Sequence, residues 1–163
     1  MPDSLPTTQQ DFIEAADEGS LYECKASPDL IAEFEKRAIK VVCSDNQVLF
    51  HKGEPGACVY LVLAGEVGLL LPLSTVDGRG FRARSGSLVG LPAAFSIESY
   101  SMTAIVWKGA EFAVMSRDKF CDMIASNPVL SLDVLRILAA ETRAARIAIV
   151  DAGMERRSSR ARD

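Results

Sequence analysis

His51 is the only imidazole in the chain. A lone histidine removes every metal centre that needs two or more, including HExxH zinc enzymes and histidine-rich barrel sites. The four thiols, Cys24, Cys43, Cys58 and Cys121, are scattered, and no two stand as CxxC. Zinc ribbons, thioredoxin-type pairs and local iron–sulfur motifs are therefore not expected, and the cysteines read as small buried hydrophobes. No GxSxG, no phosphate-binding P-loop and no Cys–His pair close in sequence is present. The expectation is a protein that binds or regulates, not an enzyme, with no catalytic residue and no metal ligand.

The composition agrees with a folded, soluble chain. Its 163 residues are enough for one domain of roughly 150 residues with a real core. Hydrophobic residues make up 48% and charged residues 25%, which excludes a disordered chain. Lys and Arg number 18 against 22 Asp and Glu, a net charge of −4. Bulk charge therefore gives no reason to coat nucleic acid or an anionic membrane. The start, MPDSLPTTQQDF, has neither a basic head nor an apolar stretch, so it does not read as a secretory signal. The longest apolar run, Leu61–Leu73, is interrupted by Gly65, Glu66 and Gly68. No membrane-spanning helix is expected, and the expected location is the cytoplasm.

The elements divide into three textures. Residues 1–36 form an acidic, helical segment: over residues 1–35, Asp3, Asp11, Glu14, Asp17, Glu18, Glu23, Asp29, Glu33 and Glu35 stand against Lys25 alone. Within it Gln9–Glu18 reads as a short helix ending at Gly19, and Ser27-Pro28-Asp29 opens a second. This acidity reads as a solvated face before it reads as a partner-binding tail.

From residue 37 to 115 helical periodicity vanishes. Short β-rich runs are cut by turn signals at Asp45-Asn46, Gly53–Gly56, Gly65, Asp77-Gly78, Gly86 and Gly109. That spacing predicts an all-β sandwich or barrel.

From residue 116 the period returns to that of helices. Ser116 is a plausible N-cap, Asn127-Pro128 a break, and Val129–Val150 a long helix. Leu135, Leu138, Thr142, Ala145 and Ile149 are spaced 3-4-3-4, a heptad-like seam suited to a partner helix. Gly153 is expected to end the helix, leaving 151–163 as a disordered basic and polar tail.

Several of these stretches match one known pattern. NQVLFHKGEPGACVYLVLAGEVGLLL resembles the opening strands of a cyclic-nucleotide-binding domain, with Gly53-Glu54, Tyr60–Leu63 and Gly65 at the marked positions. More narrowly it resembles the effector domain of the cAMP receptor protein superfamily of bacterial regulators. GSLVGLPAAF resembles the opening of that family's phosphate-binding cassette, at Gly86, Ser87, Gly90 and Leu91. SYSMTAIV resembles the Arg, Ser-or-Thr, Ala close. SRDKFCDMIASNPVLSLDVLRILAA resembles the helix pair after the barrel. The resemblance spans residues 37–150. It implies a mainly β fold with flanking helices: an eight-stranded, jelly-roll-like double-stranded β-helix and a long C-terminal dimerisation helix. Turn glycines Gly53, Gly65 and Gly86 belong to that frame.

The resemblance also implies a ligand, cAMP or cGMP, and the residues depart from what that ligand needs. A cyclic phosphate wants an arginine and backbone N–H groups, and the ribose wants a carboxylate. On this reading Leu91 stands at the glutamate position and Tyr100 at the arginine position, with Ser101 keeping the hydroxyl. Gly90, Leu91, Pro92 and Ala93 still form a small close-approach loop, although Pro92 has no N–H. Two substitutes are open: Glu98 for the carboxylate, and Arg82 or Arg84, on one strand face, for the cation. The alternative for all three is solvated surface charge. The expected protein is a stand-alone sensory or regulatory domain that takes a small effector in its roll and signals through a dimeric helix. Cyclic nucleotides are expected to bind weakly or not at all. The alternative is a ligand-free structural or interaction module of the same fold. A homodimer and a protein partner are expected. Direct sequence-specific DNA binding is not, since only 13 residues follow Val150.

Overall fold

The computed structural model describes residues 20–21, 25–70, 80–96 and 98–162. The expected helix at Gln9–Glu18 and the Asp77-Gly78 turn lie outside them. In chain order the elements are β1 (Ser20–Leu21), α1 (Pro28–Arg37), β2 (Ile39–Cys43), β3 (Val48–Phe50), β4 (Cys58–Leu70), β5 (Gly80–Arg84) and β6 (Leu88–Val89). There follow α2 (Leu91–Ser96), β7 (Thr103–Ser116), α3 (Arg117–Ala125) and α4 (Pro128–Arg160).

The helices start where capping chemistry allows. The Ser27 hydroxyl accepts from Leu30 N at 3.2 Å, and Pro28 takes the first turn, where its missing N–H is not needed. Ser116 caps α3 in the same way through Lys119 N. The Asn127 side chain accepts from Val129 N and Leu130 N at the head of α4.

The described strands form one seven-stranded sheet, ordered β1-β5-β4-β7-β2, with β3 on β7 and β6 on β4. All pairings are antiparallel except β1 with β5. This is the expected mainly β roll with flanking helices; six of the described strands run from Ile39 to Ser116, where the roll was expected, and β1 falls in the stretch expected to be helical. Its spine is the pairing of β4 with β7, from Cys58 opposite Ser116 to Leu70 opposite Thr103.

Gly65 and Gly109 were expected to separate strands. Instead each lies inside one, and the β4–β7 register slips between Val62 and Val67. The bulge has a purpose that strand parity reveals. Before it, Tyr60 and Val62 face the roll interior, while Val59 and Leu61 face the helices. After it, Val67 and Leu69 face the interior. The even positions point inward on one side and the odd positions on the other, so an extra residue has reset the alternation. Gly65 makes this possible. Its φ is 82°, and a Cβ there would stand 2.5 Å from the Gly109 carbonyl oxygen and 2.7 Å from Ala110 Cα. Gly65→Ala combines backbone strain of about 1–3 kcal/mol with overpacking of about 1–3 kcal/mol. The expected result is a loss of roughly 2–6 kcal/mol in denaturant unfolding. A loss below about 1 kcal/mol would mean that the bulge relaxes freely.

Two large cores share this sheet, beside a small cluster of Leu70 and Ile105. One fills the roll and includes Phe50, Val62, Phe81, Val106 and Phe112. The other lies between roll and helices and includes Leu30, Phe34, Leu88, Met115, Phe120 and Ile137. α4 belongs to the second through Leu130, Val134 and Ile137, spaced as one helix face.

α4 does not stop at Gly153. It runs 33 residues to Arg160, where a disordered tail from 151 was expected. One glycine costs a helix only about 1 kcal/mol. Strong helix formers on both sides, with no proline to follow, outweigh it.

Candidate functional site

Gly90 closes β6 and turns the chain into α2. Its φ of 86° suits glycine, and a Cβ there would stand 3.0 Å from both the Cys58 carbonyl oxygen and the Tyr100 ring. The cassette has kept its glycine, and the space beside it is already filled.

Tyr100 fills it. Its ring stacks on Phe50 with centroids 3.7 Å apart and planes at 15°. Its hydroxyl donates to Cys58 O at 2.8 Å and accepts from Cys58 N at 3.1 Å. Its backbone is pinned as well: Tyr100 N donates to Glu54 O and Gly53 N donates to Tyr100 O, both at 2.9 Å. Tyr60 continues the aromatic file, 5.8 Å from Phe50 and edge-on to Phe112 at 6.1 Å. Burial pushes the Tyr60 phenol up to about 12 and moves Tyr100 in the same direction. Both groups are neutral hydrogen-bonders across the physiological range, so neither can stand in for a cation.

The room left between Gly90, Pro92, Ala93, Tyr100, Met102 and Glu141 is a cavity of about 20 Å³. That is space for roughly one water molecule, where small-molecule pockets run to about 300–1,000 Å³. Ser101 also lines it. Among the described residues its wall carries one carboxylate, Glu141 of α4, and no lysine or arginine.

Of the expected site residues the structure thus brings together Gly90, Pro92, Ala93, Tyr100 and Ser101. It does not bring Leu91, Arg82, Arg84 or Glu98 to them. Leu91 is fully buried in the core between roll and helices, on the other side of the cassette from Tyr100. Arg82 and Arg84 share the outer face of β5, since Phe81 and Ala83 take the inner one. Both pair with Glu66: Arg82 Nη2 with Oε2 at 2.5 Å, Arg84 Nε with Oε1 at 3.0 Å. Arg82 also lies 5.2 Å from the Trp107 ring centroid. Strand alternation correctly predicts that the two arginines share a face; it does not say which face.

Glu98 lines a different, open groove of about 560 Å³, together with Gly53, Pro55, Gly56, Ser99 and Arg117. His51 is exposed and bonds Glu54 through Nδ1 at 2.8 Å, which holds the Glu54 carboxyl below its usual range. Cys43, Cys58 and Cys121 are free thiols, pushed up by burial. Among the described residues no group of three His, Cys, Asp or Glu side chains could hold a metal.

Met102 and Glu141 were not foreseen. Met102 had a readable signal. The family close of Arg, Ser-or-Thr, Ala is matched after its first position by Met102-Thr103-Ala104, two residues later than the register drawn from Tyr100-Ser101. Met102 then stands in the arginine place and the cation is still lost. Glu141 had none, because nothing local tells a long helix which turn will cover a distant cavity.

The geometry can now be set beside known proteins. No curated protein matches the sequence. Solved structures match at low identity. The Thermus thermophilus catabolite activator protein superposes with a TM-score of 0.66 at 20% identity, over 79% of this chain and 61% of that one. This chain therefore spans only that 61% of the catabolite activator protein's length. A cyclic nucleotide-binding domain from Methylobacillus flagellatus gives 0.63 at 20%, over 88% and 83%. The c-di-GMP responsive global regulator CLP of Xanthomonas campestris gives 0.57 at 22%, over 82% and 64%. These share the fold. The cyclic nucleotide-binding domain model itself matches residues 40–127, from β2 through the Asn127 cap. With that match over more than half of its residues, the chain belongs to the cyclic nucleotide-binding domain family.

Proposed function

We propose that this chain is a regulatory domain whose roll is held by its own Tyr100 in place of a cyclic nucleotide, and which acts as a homodimer through α4. The observation that carries the reading is the cassette cavity: about 20 Å³ left beside a stacked tyrosine, with a carboxylate and no cation among the described residues of its wall. The ligand-free interaction module is thus preferred to the domain with a small effector in its roll.

Charge-assisted hydrogen bonds contribute about 1.5–3 kcal/mol each. Without the arginine and glutamate contacts, a nucleotide loses roughly 3–6 kcal/mol, or about 10²–10⁴ in affinity. Glu141 adds repulsion toward a phosphate. Calorimetry with cAMP and cGMP is expected to show no binding in the micromolar range. A low micromolar dissociation constant for either would overturn the closed-roll reading.

The dimer rests on a second observation. Leu135 is 61% exposed and Ile149 49% exposed, with Thr142 between them also exposed. With the half-buried Leu138 and Ala145 they make up the 3-4-3-4 seam, three of whose five side chains are exposed. Leu138 packs partly on the core between roll and helices, so a charge there would test folding as well as association. Leu135 is the cleaner site. Leu135→Asp is expected to convert dimers to monomers by light scattering, with an unchanged circular-dichroism spectrum. A parent protein that is already monomeric at micromolar concentration would refute the seam.

A further inference from the structure

α4 has three faces, and the roll and the seam use two. Leu130, Val134, Ile137, Glu141 and Ala144 turn toward the roll. Leu135, Leu138, Thr142, Ala145 and Ile149 form the seam. The third face carries Leu132, Arg136, Ala139, Arg143, Arg146 and Val150, spaced 4-3-4-3-4, and every one of them is exposed. Between residues 132 and 150 the only acidic residues are Asp133 and Glu141. Asp133 accepts from Ser27 N at 3.0 Å, and Glu141 lines the cavity. Among the described residues no carboxylate pairs with Arg136, Arg143 or Arg146. Three arginines interleaved with apolar side chains are thus left without a counter-charge on a helix of a protein that is net acidic.

The counter-charge is in the chain itself. Gln9–Glu18 holds Asp11, Glu14, Asp17 and Glu18 with no basic residue, and Phe12, Ile13, Ala15 and Ala16 beside them. At helical spacing Asp11, Glu14 and Glu18 recur 3-4, as a face-matched acidic row does, and Phe12 and Ala15 follow one position behind Asp11 and Glu14, flanking that row. We infer that Gln9–Glu18 docks on the third face of α4, its acids on Arg136, Arg143 and Arg146 and its apolar side chains on Ala139 between them. Tethering raises the segment's effective concentration, so pairs that are individually weak suffice. A membrane fits this face less well. An interfacial helix keeps a continuous apolar face apart from its basic one, whereas here arginine and apolar residues alternate along one row.

The test uses the full-length chain and hydrogen exchange read by mass spectrometry. In the parent protein residues 9–18 are expected to exchange about tenfold more slowly than in the variant Arg136→Glu/Arg143→Glu/Arg146→Glu, the combined effect of three exposed pairs. Asp11→Lys/Glu14→Lys/Glu18→Lys should lose the same protection, and because it alters only the terminal segment it leaves the roll's folding out of the question. Combining both sets of reversals should restore it. Light scattering on the same samples reads the seam separately, so a failure of the dimer and a failure of this docking are distinguishable. Unprotected residues 9–18 in the parent protein, or protection that survives the arginine reversal, would overturn the proposal. So would arginine-dependent binding to phosphatidylserine vesicles by a protein whose residues 9–18 stay unprotected, which would make the face a membrane surface.

Discussion

Replacing Tyr100 with alanine is expected to lower the stability of the domain by about 3–5 kcal/mol, the range for removing a buried aromatic side chain. For a chain of this size that is a fall of roughly 6–20 °C in melting temperature, at about 2–4 °C per kcal/mol. The cost has separable parts. Tyr100→Phe keeps the stack on Phe50 and removes only the hydroxyl, which leaves Cys58 N and Cys58 O unpaired. An unsatisfied buried polar group costs about 1–3 kcal/mol, so phenylalanine should recover about half of the alanine loss. Thermal unfolding of the three proteins measures both steps. If the alanine variant melts with the parent, Tyr100 is a bystander and the roll has no internal occupant. The alanine variant should also remain blind to cAMP, because opening space supplies no cation. Adding Met102→Arg to Tyr100→Ala supplies one, and a gain in cAMP affinity in that double variant alone would separate the blocked space from the missing charge.

What the sequence could reveal followed from how local each cause is. Ser27, Ser116 and Asn127 act on N–H groups within three residues, and the helix starts were readable from them. Glycines and alternation showed the β texture of 37–115, but not that Gly65 and Gly109 sit inside strands. A bulge is a relation between two strands, and its signal is the parity change from Val62 to Val67, legible only once the inward face is known. The site failed for the same reason. Arg82 and Arg84 were rightly put on one face, yet whether that face meets ligand or Glu66 depends on a partner strand at another place in the sequence. That neither Tyr100 nor Met102 is an arginine can be read from the sequence. The occupant that replaces the ligand cannot, because stacking of Tyr100 on Phe50 joins residues 50 apart in the chain.

Leu91 gives the sharper test of that geometry. It stands directly after the cassette glycine, where the family resemblance calls for a ribose-binding glutamate, so Leu91→Glu looks like a repair. The structure predicts the opposite. Leu91 is 0% exposed and sits in the core between roll and helices with Leu88, Ala94 and Phe120, whereas Tyr100 and the cavity belong to the roll core. A glutamate there would forfeit about 2–3 kcal/mol of apolar burial and place a carboxyl among apolar side chains. Leaving an uncompensated buried charge costs about 3–5 kcal/mol, and the total approaches the whole stability of an ordinary domain, about 5–15 kcal/mol. Burial would raise the new carboxyl's pKa above its unfolded value of about 4.3. The folded state would then hold the proton more tightly than the unfolded state does. The variant is therefore least destabilised below about pH 4.3, and its deficit grows as pH rises toward the folded pKa. Denaturant titrations at acidic and neutral pH, with Leu91→Met as the volume control, read that slope directly. Methionine should cost less than about 1.5 kcal/mol at either pH. A Leu91→Glu protein as stable as its parent at neutral pH, and able to bind cAMP, would show that the side chain turns into the roll and that the cassette is open to a nucleotide after all.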